Sequence, residues 1–213
     1  MHSKIVLAGL AMVALSACAT APQPTSQALI ATVSGTVAPA TLATNVAKDP
    51  RVASLTAAGI KPLAPPAVDA YMDLQEAELR KALGGMGVTI TRVGDQIALV
   101  LPTDATFAAG DAKVKSGADS AIVAISDVVR KYNQTIVDVY GYTDNASPDA
   151  YNRDLSQRRA VAVATLLANG GVDQRRFFIE GRGSADPAAS DATEAGRAQN
   201  RRVQIQIAPL ASG

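Results

Sequence analysis

The chain is poor in the side chains on which most catalysis and most nucleic-acid binding depend. It has one His, one Cys and no Trp, and aromatic residues fill only 4% of its 213 positions. Stacking platforms for bases or sugars are therefore thinly supplied. Charge of one sign is also lacking: 20 basic and 19 acidic side chains leave a formal net charge of +1. Nucleic-acid binders draw their affinity from a one-sided excess of Lys and Arg, so that class is set aside. The single His is His2 and the single thiol is Cys18. No disulfide can form within the chain. Beyond Cys18 there is no imidazole for Cys–His or Ser–His–Asp catalysis, and no His/Cys set for zinc. Carboxylate, Lys, Ser or Tyr chemistry remains, and neither a metal nor a cofactor is implied.

Long apolar runs are scarce too. In MHSKIVLAGLAMVALSAC, Lys4 precedes an apolar run from Ile5 to Leu15, and Leu15-Ser16-Ala17-Cys18 follows. A run this short does not span a hydrocarbon layer of ~30 Å as a mature helix and suits an export signal. The tetrapeptide resembles the lipobox of bacterial lipoproteins. That resemblance implies a signal peptide at 1–17, lipid (including palmitate) on Cys18, and, because Ala19 rather than Asp follows, the outer membrane with the remainder facing the periplasm. Residues 18–67 are rich in Ala, Thr, Ser and Pro, as in ATAPQPTSQ and KPLAPPA. They read as a tether, and about 50 flexible residues would span ~40 Å r.m.s.; within them ALIATVSGTV and DPRVASLTAAGI stay open as short elements.

From residue 68 the pattern changes. AVDAYMDLQEAELRKALGG carries apolar residues at helical spacing (Met72, Leu79, Leu83, with Leu74 near them) and a Glu76–Arg80 pair four apart, with Gly84-Gly85 as the stop. VTITRVGDQIALVLP alternates on both sides of Gly94-Asp95 and predicts a hairpin. SGADSAIVAISDVVRKY predicts an amphipathic helix, and QTIVDVYGYTD a strand. A second helix is expected over 155–169, closed by Gly170-Gly171 with Val172 packed behind. RRFFIEGRG and RRVQIQIAP predict two further strands. Strands separated by helices give an α/β (α+β) two-layer sandwich, a mixed sheet with helices on one face, as one domain over 68–213.

The segment YGYTDNASPDAYNRDLSQRRAVAV draws attention. Asp144 lies just past a strand end. Asn152 or Asp154 is a candidate cap for the helix that follows, and Asp154 with Gln157 fits a capping box. Arg159 shares a helix side with Leu155 near the expected helix start, so an acid, an arginine and free helix N–H groups face one small volume. Alone, this spacing reads as a local ion pair. The wider order of residues extends that reading. Thr143-Asp144, Leu155-Ser156, Arg159-Ala160, Val163, Gly181-Arg182-Gly183, Gly196-Arg197 and Asn200-Arg201-Arg202-Val203 together resemble the OmpA-like peptidoglycan-binding domain, over about residues 90–210. With the lipobox, the chain is similar to peptidoglycan-associated lipoproteins.

The resemblance implies a non-catalytic site for the stem peptide of peptidoglycan, with Asp144 binding the ammonium of diaminopimelate and Arg159 its carboxylate. Thr143, Leu155, Asn152 and Arg201 match family positions around the pocket. For Arg201, a structural ion pair at the start of the last strand is an equal reading. Two departures from the family pattern stand out. Ser147 before Pro148 replaces a frequent Gly and reshapes the rim, and Phe107 is followed by Ala108 rather than Asp. The implied role is a lipid-anchored link between outer membrane and wall. Two alternatives stay open. One is an envelope scaffold acting through protein partners, with helix 68–83 as a contact element. The other is a wall-cleaving enzyme pairing Asp144 with Asp149 or Asp154. A neighbouring Arg disfavours the enzyme, because it keeps a carboxylate ionised.

Overall fold

The computed structural model describes residues 49–211. The signal peptide, Cys18 and the first part of the tether lie outside them. Five strands form one sheet in the order β1-β2-β5-β3-β4. The hairpin β1 (Thr89–Val93) and β2 (Gln96–Pro102) turns at Gly94-Asp95 as expected, with Val93 opposite Gln96. β5 (Arg202–Pro209) runs antiparallel to both β2 and β3 (Thr135–Tyr142). β4 (Phe177–Gly183) lies parallel to β3. The sheet is mixed, and the α/β reading holds.

Three helices cover one face. α2 (Pro65–Ala82), α4 (Asp119–Lys131) and α5 (Asp149–Asn169) bury Met72 and Leu79, Ile122, Ile125 and Val129, and Ala160, Val163 and Leu167. These meet Ile97 and Leu99 of β2, Val137 and Val139 of β3, and Val203, Ile205 and Ile207 of β5 in one core. Leu74, by contrast, points outward at 63% exposure, so it is no part of the apolar stripe. α5 closes with the expected glycine stop. Gly171 takes φ +90°, its N–H donates to Ala168 O, and the N–H of buried Val172 donates to Leu167 O.

The start of α5 corrects the sequence reading. The helix begins at Asp149, six residues before Leu155, with Pro148 at its N-cap and no side-chain cap. Pro148 holds φ −57° and ψ 145°, a ready-made helix entry. Asp154 and Asn152 therefore sit inside the helix. Asp154 bonds Arg158 at 2.8 Å rather than capping, and Gln157 accepts from Gly181 N of β4.

The second correction concerns residues 49–67, placed with the tether by composition. Asp49 caps α1 (Pro50–Ala57) by accepting from Arg51 N, with Pro50 at the first helical position. α1 lies on the other face of the sheet, where Leu55 packs with Ile136, Ala208 and Leu210. Arg51 reaches Asp138 of β3 at 2.6 Å and Arg176 O at 3.0 Å. Leu63 N donates to Leu210 O. The folded body thus includes these residues. No helix among the described residues is long and apolar enough to cross a membrane.

Candidate functional site

The site sits at the end of the sheet where β2 and β3 finish and β5 begins. Its geometry depends on how closely α5 lies on the sheet. Gly141 of β3 and Gly181 of β4 are directly paired under the helix. A Cβ on Gly141 would lie 2.1 Å from Ser156 O, and one on Gly181 would lie 2.2 Å from Gln157 N. Only glycine permits that approach. Ser156 Oγ then accepts from Gly183 N at 2.9 Å, which fixes the helix along β4.

Past β3, Thr143 N still donates to Gly183 O at 2.8 Å, and Asp144 opens the loop to α5. Asn152, buried in the first turn of α5, donates from Nδ2 to Ser147 O at 2.8 Å and to Asp144 O at 3.2 Å. That pair of bonds holds the Ser147–Pro148 rim and the Asp144 backbone in place without the family's frequent glycine.

Thr143, Asp144, Asn152, Leu155, Arg159 and Arg201, the six positions nominated from sequence, all line one cavity of about 410 Å³. Asp104, Ser147 and Tyr151 line it with them. Asp149 and Asp154 do not. Asp149 borders a separate cavity with Arg153 and Arg182, and Asp154 pairs with Arg158. The structure therefore does not place Asp144 in one cavity with Asp149 or Asp154, the two pairs named for the enzyme alternative.

The charges are not arranged as a simple Asp144–Arg159 pair. Asp144 Oδ2 accepts from Arg201 Nη1 at 2.8 Å. Arg201 also donates from Nε and Nη2 to Asp104, at 3.1 and 2.7 Å, and from Nη2 to Glu194 at 2.8 Å. These bonds, Asp104's first, raise the Arg201 pKa, and in return they hold the carboxyls of Asp104 and Glu194 below their usual values. Arg201 is thus both a structural ion-pair residue and a wall of the cavity.

Arg159 is different. It is 3% exposed, lies 5.3 Å from the Phe107 ring centroid, and donates Nε to Asp111 O at 2.8 Å. No carboxylate among the described residues comes within ion-pair distance of it. Burial pushes its pKa down, with Asp104 opposing from a distance. Its place also corrects an expectation. Arg159 falls in the third turn of α5, about 15 Å along the axis from Asp149. The free amides of the helix start are therefore not beside it.

Asp104, Glu194 and Tyr151 carry no mark of the site in the sequence, and Phe107 is marked there only by the Ala108 that follows it. Asp104 and Arg201 are 97 positions apart. What joins them is the hydrogen bond of Thr103 N to Arg201 O at 2.9 Å, made where β2 leaves β5. Only strand order could have revealed it.

Comparison with known proteins agrees with this architecture. Residues 106–201 match the model of the OmpA family. The probable lipoprotein YiaD of Escherichia coli K12 is 44% identical over 140 residues, which are 66% of this chain and 64% of that protein. The peptidoglycan-binding protein ArfA of Mycobacterium tuberculosis is 31% identical over 156 residues, 73% of this chain and 42% of ArfA. The solved cell wall anchor of the T6SS from Pseudomonas aeruginosa superposes with a TM-score of 0.56 at 34% identity, covering 63% of this chain and 99% of the anchor. The chain belongs to the OmpA family.

Proposed function

We propose that the chain binds peptidoglycan without catalysis, taking the diaminopimelate of its stem peptide into the Asp144–Arg159 cavity. Through lipid on Cys18 it then links the outer membrane to the wall. The observation that carries this reading is Arg159: a nearly buried guanidinium, packed on Phe107, with no carboxylate among the described residues in ion-pair contact. A buried charge without a counter-ion is costly. A ligand carboxylate would supply one, with two parallel hydrogen bonds that a lysine could not replace. Asp144, in the same cavity, offers the anion for an ammonium. The free end of a diaminopimelate side chain carries both groups on one carbon.

The names of two relatives, one a peptidoglycan-binding protein and one a cell wall anchor, point the same way. Charge-assisted hydrogen bonds contribute about 1.5–3 kcal/mol each, against the cost of immobilising the ligand. One peptide is therefore held weakly. A polymer of repeated peptides facing a membrane-bound domain raises the effective concentration and makes weak contacts sufficient.

Calorimetric titration of unlipidated 19–213 with an L-Ala–D-Glu–meso-diaminopimelate peptide tests the reading. Wild type should bind saturably, and the lysine counterpart, which lacks the terminal carboxylate, should bind at least tenfold more weakly. Arg159→Lys should lose about as much. Equal binding of both peptides would exclude the proposed ligand.

A further inference from the structure

Arg201 raises a question that the proposed ligand sharpens. Its Nη1 occupies Asp144 Oδ2 at 2.8 Å, the place where a ligand ammonium would sit. Among the described residues Asp144's one other side-chain bond is long, 3.2 Å from Ala146 N. A ligand must therefore compete with an internal cation for the same carboxylate. Whether it can depends on what else holds that cation.

Two other carboxylates do. Asp104 receives both Nε and Nη2 of Arg201, and Glu194 receives Nη2. Three of the four side-chain bonds of Arg201 thus remain when Asp144 turns away. The frame around them is fixed. Arg201 N donates to Arg197 O at 3.0 Å, and Thr103 N donates to Arg201 O at 2.9 Å, which places Asp104 beside the Arg201 backbone. Asp104 and Glu194 are 59% and 66% exposed, whereas Asp144 is 14% exposed, so the other two acids hold the guanidinium from its solvent side.

We infer that Arg201 is a displaceable internal cation at the ammonium subsite, and that Asp104 and Glu194 are positioning residues that retain it when ligand takes Asp144. The inference rests on the reading of the cavity as a diaminopimelate site. It names a role for two acids outside the Asp144–Arg159 pair. Without them Asp144 would be Arg201's sole carboxylate, and the ligand would have to leave a guanidinium unpaired.

The test uses unlipidated 19–213 and two ligands: the meso-diaminopimelate peptide, and its analogue with 2-aminopimelate, which keeps the terminal carboxylate but lacks the ammonium. In Asp104→Asn/Glu194→Gln, affinity for the diaminopimelate peptide should fall about tenfold, the scale of one charge-assisted hydrogen bond. Affinity for the analogue should change by less than about twofold, since it does not use Asp144. Adding Arg201→Gln to that double variant removes the competitor and should restore most of the lost affinity. Equal losses for both ligands, or no recovery on adding Arg201→Gln, would overturn the inference, since a purely structural role would produce either. Wild type that fails to prefer the diaminopimelate peptide over the analogue would instead sink ammonium recognition itself, and this inference with it.

Discussion

Among the described residues three arginines, Arg159, Arg176 and Arg202, are almost completely buried without a carboxylate ion pair, and Arg159 and Arg176 differ in where their donors go. Arg176, 1% exposed, spends its guanidinium on Thr135 O, Val129 O, Tyr132 O and Thr135 Oγ1, closing the end of α4 and the start of β3. Burial pushes its pKa down to about 10, which leaves it charged at neutral pH. Arg159 makes one such bond and turns the rest of its guanidinium to the cavity. The two should separate in a urea titration. Arg176→Met leaves several buried carbonyls unsatisfied and should cost about 3 kcal/mol or more. Arg159→Met replaces an uncompensated charge by an apolar chain, so stability should stay within about 1 kcal/mol or rise. A large loss for Arg159→Met would mean that the residue is structural.

At the level of elements, the site is only as precise as the seating of α5 on β3 and β4. Gly181→Ala would drive a methyl into the Gln157 backbone, where no flexible side chain can yield. A cost of about 2–4 kcal/mol is expected, with weaker peptide binding as Asn152 and Arg159 move off the cavity. Unchanged thermal unfolding would show that α5 has room to shift. The Arg201 cluster, which ties α3 (Thr103–Thr106), α6 (Glu194–Asn200) and β5 together, predicts a pH dependence. Arg201 holds the carboxyls of Asp104 and Glu194 below their ordinary values of 3.8 and 4.5. Groups depressed in the folded state stabilise above their unfolded values and lose that contribution as pH falls through the folded ones. Arg201→Gln should therefore be less stable than wild type near neutral pH, with the gap closing towards pH ~3. A gap independent of pH would mean that these carboxylates contribute nothing.

The same elements show what was legible in the sequence. Strand alternation and glycine stops gave β1 to β5, α2, α4 and the end of α5, because these signals are local. The start of α5 was misplaced because Asp154 and Gln157 imitate a capping box, whereas the real entry depends on Pro148. α1 is only hinted at in DPRVASLTAAGI, because an Ala- and Thr-rich segment looks like tether. Its signals, Asp49-Pro50 as cap and first residue, are brief, and its burial rests on Leu55 and the distant Asp138. The cavity's six nominated residues came together because family resemblance encodes long-range order. Asp104 and Glu194 carried no local mark.

For the whole molecule, the proposal joins two ends: a domain whose cavity takes a wall peptide, and a lipidated Cys18 outside the described residues. The domain begins at or before Asp49, so a binding fragment should retain α1. Cutting at residue 68 would remove Arg51 and leave Asp138 buried without its cation. That fragment should unfold at a lower temperature than 49–213 by several degrees, and equal unfolding temperatures would make α1 an appendage. The account as a whole stands on wall binding through the pocket. The most direct measurement is co-sedimentation of unlipidated 19–213 with purified diaminopimelate-type sacculi, beside Asp144→Asn and Arg159→Met, each checked for folding by circular dichroism. Wild type should pellet with the sacculi while both folded variants stay in the supernatant. Folded wild type left in the supernatant, or all three proteins pelleting alike, would contradict the account.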